Sequence, residues 1–155
     1  MADDDTLEAR LRHLEDLEEI RRLLLEYASR LDAADFRGYA ELFTADGELN
    51  AQLGRAKGRE AIVALLQDRL GTNPDRPRKA AFHLVGNPDI RIDGDTATSS
   101  VLWAYVTHDS EGFPIILQLG HYRDALARED GAWRFRRRDI SRDMGFSPLE
   151  APPRR

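Results

Sequence analysis

Two residues carry the most suggestive chemistry in this chain: the histidine of "AAFHLVGN" and the aspartate of "YASRLDAADF". Side chains alternate along a strand, so if Phe82 and Leu84 face one side, Ala81, His83 and Val85 face the other. His83 is then a lone imidazole among small apolar neighbours. It reads either as a hydrogen-bonded core histidine or as a general base inside a pocket, a task suited to its near-neutral pKa. Asp32 falls at the C-terminal end of a long helix, where the helix dipole disfavours negative charge. A carboxylate there wants a cationic or donor partner. A histidine oriented by Asp32 would satisfy it and become more basic, the logic of Asp–His pairs in many hydrolases and lyases. Asp35 competes for the role but reads better as a helix cap.

Other chemistry-bearing residues cluster in the second half. In "SSVLWAYVTH", Trp103, Tyr105 and Thr107 share one face, opposite Leu102, Ala104, Val106 and His108. The Trp–Tyr face either lines a pocket or packs in the core. "ILQLGHYRDAL" puts Gln118, Gly120 and Tyr122 together, and a mid-strand glycine marks a bend or a close approach. His108 and His121 then point away and read as structural or exposed. In "WRFRRRD", alternation sets Arg134, Arg136 and Arg138 on one face and Trp133, Phe135 and Arg137 on the other. Most of these arginines read as a solvated sheet face, with one reaching the pocket rim to bind an anionic or leaving oxygen. His13, His83, His108 and His121 lack metal-ligand spacing. Lys57, in a Gly-flanked stretch read as loop, is a thinly supported Schiff-base lysine. Phosphate-loop, dinucleotide, zinc-protease and nucleophile-elbow motifs are all missing.

Composition narrows the field further. The 155 residues include 23 basic and 28 acidic side chains, a net charge of −5, and no cysteine. That excludes thiol nucleophiles, disulfides and cysteine-ligated metals, and argues against nucleic acid as a partner. No apolar run approaches the roughly 20 residues of a membrane span. The acidic N-terminus lacks the pattern of a signal peptide, which points to the cytoplasm. The length suits one domain, 1–155, with 1–6 and the Pro-rich stretch 147–155 irregular.

The elements that must position these residues follow from periodicity. Leu7, Leu11, Leu14, Leu17, Ile20, Leu24, Tyr27/Ala28 and Leu31 step by three or four, predicting an amphipathic helix over 7–31. A short helix follows over 36–43, capped by Asp35. Ala45-Asp46-Gly47 reads as a turn into a short strand, and 59–70 as a third helix ended by Gly71. Residues 71–78 read as loop. Strands are predicted over 80–92, 96–108, 114–128 and 132–142, joined by tight turns and therefore antiparallel neighbours. Helices followed by a meander make an α+β fold, whose curved sheet would wrap the long helix and leave a concave mouth.

These stretches together resemble the SnoaL-like branch of the nuclear-transport-factor-2-like superfamily. The resemblance is carried in order by "IRRLLLEYASRLDAADFRGYAELFTADGEL", "GREAIVALL", "FHLVGNPDIRIDGDTATS", "GHYRDALAREDGAWRFRRRDI" and "FSPL". It implies a cone-shaped α+β barrel: N-terminal helices in a curved, mostly antiparallel mixed sheet around a pocket. The arrangement is similar to scytalone dehydratase, bile acid 7α-dehydratase and hexachlorocyclohexane dehydrochlorinase, which eliminate water or HCl from a ring with an Asp–His dyad and no cofactor. Asp32 and His83 fall on the dyad positions, Tyr27 where the bile acid enzyme has its catalytic tyrosine, and Arg138 on a functional arginine of the last strand. The second histidine of scytalone dehydratase has no secure counterpart, His108 being nearest.

The resemblance implies a cofactor-independent, dehydratase-type lyase acting on a small hydrophobic cyclic, aromatic or steroid-like substrate. His83, Asp32, Tyr27 and Arg138 would be catalytic, Trp103, Tyr105, Gln118 and Tyr122 would bind substrate, and no metal would take part. A ketosteroid-isomerase-like double-bond isomerase, a polyketide cyclase, and a non-catalytic ligand-binding or dioxygenase small-subunit-like module are the alternatives on the same scaffold. Homo-oligomerisation is expected, a trimer rather than a dimer, with neither nucleic acid nor membrane as partner.

Overall fold

The computed structural model describes residues 6–71 and 80–146. Three helices, α1 (Leu7–Asp32), α2 (Phe36–Glu41) and α3 (Arg59–Leu70), accompany six strands: β1 (Phe43–Ala51), β2 (Gly54–Lys57), β3 (Phe82–Asp93), β4 (Thr96–His108), β5 (Pro114–Glu129) and β6 (Ala132–Gly145). The strands form one mixed, open sheet in the order β2-β1-β6-β5-β4-β3. Only β1 and β6 run parallel; the other neighbours are antiparallel. The predicted α+β architecture is thus observed, with β3, which carries His83, at one edge.

Helix α1 is capped by the Thr6 hydroxyl, which accepts from the Ala9 N–H. Its expected apolar face is buried only in part: Ile20, Leu23, Leu24, Tyr27 and Ala28 enter the core, whereas Leu7, Leu11 and Leu14 are 82%, 54% and 60% exposed. At 1.5 Å per residue the helix is about 39 Å long and outruns the sheet. Its clasp is at the β5–β6 turn, where Trp133 donates Nε1–H to Asp16 (3.1 Å) and its backbone N–H to Glu19 (2.8 Å). Arg128 pairs with Asp16 at the same point. Beyond it the first turns have no sheet to cover.

Three local expectations need correction. Ala45-Asp46-Gly47 is not a turn before a strand but lies inside β1. The register moves from Phe43↔Phe135 to Glu48↔Arg137, so a bulge absorbs these residues. The stretch around Lys57 is strand β2 rather than loop, and Lys57 pairs with Glu48 at 3.1 Å on the surface. In β6 the register shifts between Leu126↔Phe135 and Ala125↔Arg137, leaving Arg136 as the extra residue. That bulge breaks the alternation, so Trp133, Phe135 and Arg138 are all buried and Arg138 does not share a solvated face with Arg136. Gly71 does cap α3. The rest of the predicted 71–78 loop and the stretch 147–155 lie outside the described residues.

The core joins Ile20, Leu24 and Tyr27 of α1 to Tyr39, Phe43, Leu49, Ile62, Leu66, Leu126 and Phe135. Burying each such side chain contributes about 1.5–3 kcal/mol. The helices therefore press on one face of the sheet, and the C-terminal turn of α1 lands against edge strand β3.

Candidate active site

Asp32 is the last residue of α1, and both of its carboxylate oxygens go to His83. Oδ1 meets the imidazole Nδ1 at 2.6 Å, and Oδ2 accepts the His83 backbone N–H at 2.9 Å. An edge strand leaves backbone groups without a ladder partner; here one of them anchors the aspartate. An ionised carboxylate only accepts, so Nδ1 carries a proton, and in the neutral ring the lone pair is then on Nε2. Both side chains are mostly shielded, His83 at 16% and Asp32 at 23% exposure. Phe82 and Leu84 are exposed on the opposite face, as alternation requires.

The aromatic residues lie beside this pair. The Tyr105 ring centre is 4.9 Å from the imidazole and that of Trp103 is 6.2 Å away. Register aligns His83, Tyr105 and Gln118 across β3, β4 and β5, and Val85, Trp103 and Gly120 one repeat deeper. The Gly120 position is a close approach: a Cβ there would stand 2.8 Å from Cε2 and Cζ2 of Trp103. The bare backbone lets the indole lie flat over β5 and stack on Tyr122, with centroids 5.7 Å apart and planes at 13°.

Tyr27, Tyr122 and Arg138 form a second, sealed layer behind Trp103. Arg138 is fully buried and grips Asp124 through two hydrogen bonds of 2.7 Å, while the Ser99 hydroxyl donates to the same carboxylate at 2.7 Å. Its guanidinium carbon sits 4.0 Å from the Tyr27 ring centre, 4.1 Å from Phe135 and 4.2 Å from Tyr122. Burial opposes the charge, but the Asp124 carboxylate outweighs it and holds the Arg138 pKa above its ordinary value. The Tyr39 hydroxyl donates to that of Tyr27 at 2.6 Å. Burial raises the pKa of Tyr27, and raises those of Tyr39 and Tyr122 further. Among the described residues, Nε1 of Trp103 and Nη1 of Arg138 are buried donors without a hydrogen-bond partner.

The structure therefore brings Asp32, His83, Tyr105 and Trp103 together, with Gln118 in the same cross-strand row. It sets Tyr27, Tyr122 and Arg138 behind them. Tyr39, Ser99 and Asp124 were missed. Asp124 was within reach, since continuing the alternation from Gln118 through Tyr122 puts it on the same face. His108 contacts the Asp109 carbonyl at 2.8 Å and joins no dyad, and His121 pairs with Asp143 on the outer face. Among the described residues, no three His, Asp or Glu side chains are grouped to hold a metal. A concavity of about 340 Å³ lined by Arg91, Thr98, Ser100, Arg123 and Asp139 offers no imidazole base.

The fold and site define the class: this is the nuclear-transport-factor-2-like, cystatin-like architecture. A structure of that description from Novosphingobium aromaticivorans superposes with a TM-score of 0.77 at 32% identity, covering 92% of this chain and 94% of that one. More narrowly, residues 12–139 match the SnoaL-like domain, and the chain belongs to that family. An uncharacterised Mycobacterium tuberculosis protein is 32% identical over 123 residues, 77% of this chain and 80% of its own length. A second Novosphingobium aromaticivorans protein, provisionally named a scytalone dehydratase, has a TM-score of 0.71 at 25% identity, covering 91% of this chain and 94% of that one. No helix among the described residues is long and apolar enough to cross a membrane.

Proposed function

We propose that the protein is a cofactor-independent lyase that removes water from a small ring β-hydroxy ketone, with His83 as general base. The observation that carries this is the double grip of Asp32 on His83, which leaves Nε2 as a free base beside Tyr105 and Trp103. Nε2 takes the proton on the carbon next to the carbonyl, and its electron pair passes into an enolate. The enolate re-forms the carbonyl and a C=C bond as the β C–O bond breaks. The leaving hydroxide recovers a proton from the His83 imidazolium and departs as water. Asp32 stabilises that imidazolium, Trp103 and Tyr105 present flat faces to the ring, and Gln118 borders them. Tyr27 and Arg138 act from behind, through Tyr122 and the positive field of the guanidinium, rather than by contact.

The test is a panel of ring β-hydroxy ketones such as 3-hydroxy-1-tetralone, whose loss of water yields 1-naphthol and is followed by absorbance. His83→Ala and Asp32→Asn should each lower turnover by about 10³-fold or more while remaining folded. Full activity in both variants would overturn the proposal. Return of the proton to a different carbon would instead shift a double bond, and product analysis of the same incubations separates the two. We further propose that the protein self-associates, a trimer being favoured, through Phe82, Leu84, Leu102, Ile116 and Met144, all exposed on the sheet. Light scattering should show an oligomer that Leu84→Lys weakens.

A further inference from the structure

The outer face of the sheet holds a concavity of about 340 Å³ built from residues that the proposed reaction does not use. We propose that it binds a small, singly charged aromatic carboxylate, anchored by Arg123. The site shares no residue with the Asp32–His83 pair and does not depend on the lyase reading.

Register and side-chain size make the concavity. Arg91, Thr98, Ala125 and Arg137 form one row across β3, β4, β5 and β6. Their chain neighbours Ser99, Asp124 and Arg138 are buried, and Arg138 lies against Tyr27 of α1, so alternation turns this row away from the helices. Two long arginines stand at its ends and two small side chains in its middle. Thr98 and Ala125 therefore form a floor, and the concavity lies over it. The Thr98 methyl, the Ala125 Cβ and the aliphatic arginine stems give that floor and its walls an apolar surface.

The charges around the floor are not balanced. Arg137 is held by Asp139 at 2.9 Å, and Arg91 lies 3.4 Å from Asp89. Beneath them Arg138 neutralises Asp124 through two hydrogen bonds of 2.7 Å. The next row runs Asp89, Ser100, Arg123, Asp139, with Arg123 exposed. Among the described residues the Arg123 side chain makes neither an ion pair nor a hydrogen bond. Its field reaches Asp143, whose oxygens are taken by His121 and Ser141. A guanidinium presents paired N–H donors that match the two oxygens of a carboxylate. Ser100, its cross-strand neighbour, adds a hydroxyl donor. Asp89 and Asp139 close both ends of the row and repel a second negative charge, which selects a monoanion over a dianion or a nucleic-acid strand. The guanidinium groups of Arg91 and Arg137 stack on flat rings, so an aromatic body fits between them over Thr98 and Ala125.

Amide NMR of the full chain titrated with benzoate tests the assignment and locates the ligand at the same time. Benzoate should shift the amides of Thr98, Arg123 and Ala125 saturably. It should bind at least about tenfold more tightly than neutral benzyl alcohol, as a charged hydrogen bond predicts. Terephthalate, with a second carboxylate on the far side of the ring, should bind no better than benzoate. Arg123→Met should erase the preference for benzoate over benzyl alcohol. Ala125→Leu, which fills the floor and leaves every charge in place, should weaken benzoate binding as well. Shifts confined to the surroundings of His83, no saturable shift at Thr98 and Ala125, or a preference that survives in Arg123→Met overturns the proposal. So does tighter binding of terephthalate. Ala125→Leu binding like wild type also overturns it, by reducing the site to a lone surface charge.

Discussion

Asp32→Asn alters the chemistry of the carboxylate while barely altering its shape. In the wild type both oxygens accept, one from the His83 backbone N–H and one from Nδ1. An amide has one acceptor and one donor. The backbone N–H cannot give up its proton, so the amide oxygen must stay with it and the amide NH₂ must face the imidazole. The ring responds by moving its proton from Nδ1 to Nε2, the atom meant to act as the base. Both hydrogen bonds survive without charge assistance, so stability should fall by only about 1 kcal/mol. Turnover should fall by about 10³–10⁴-fold, or about 4–5.5 kcal/mol of barrier, comparable to the same change in a catalytic triad. Nitrogen-15 NMR of the imidazoles reads the tautomer without any substrate: wild-type His83 should show an unprotonated Nε2, the variant an unprotonated Nδ1. His121, held by Asp143 on the other face of the sheet, is an internal reference that should not change. An unchanged His83 tautomer in Asp32→Asn would show that Asp32 does not set it.

Asp124→Asn should leave the buried Arg138 charge uncompensated and cost about 3–5 kcal/mol in a denaturant melt. A double Arg138→Met, Asp124→Leu replacement should be less damaging than that single change. Gly120→Ala should run into the Ser141 backbone carbonyl of β6 as well as the Trp103 indole, costing about 3 kcal/mol and altering near-ultraviolet circular dichroism. Three of the four tyrosines, Tyr27, Tyr39 and Tyr122, have pKa values raised by burial. Their neutral forms therefore stabilise the fold fully below the ordinary tyrosine pKa, and that contribution is lost as pH rises through the raised values. Absorbance at alkaline pH should show these three phenols ionising together with unfolding.

What was legible in the sequence was whatever depends on local periodicity. His83 follows from unbroken alternation in β3, and Asp32 from its place at the end of a helix that cannot favour it. The same rule misplaced Arg138, because a bulge at Arg136 is a long-range effect: β6 pairs with β1 and β5 at once and must satisfy both registers. Leu7, Leu11 and Leu14 keep helical spacing whether or not a sheet extends beneath them, so spacing could not tell their exposure. Tyr39 and Ser99 matter only through partners at Tyr27 and Asp124, which the fold alone brings together.

In the proposed reaction Nε2 of His83 removes a carbon-bound proton. Deuterium incorporation measures that step alone, whether or not a leaving group follows. Incubated in D₂O with 3-hydroxy-1-tetralone, wild type should exchange the proton beside the carbonyl faster than buffer. His83→Ala should match buffer in mass spectra taken at early times. Exchange by His83→Ala at the wild-type rate would show that His83 is not the base.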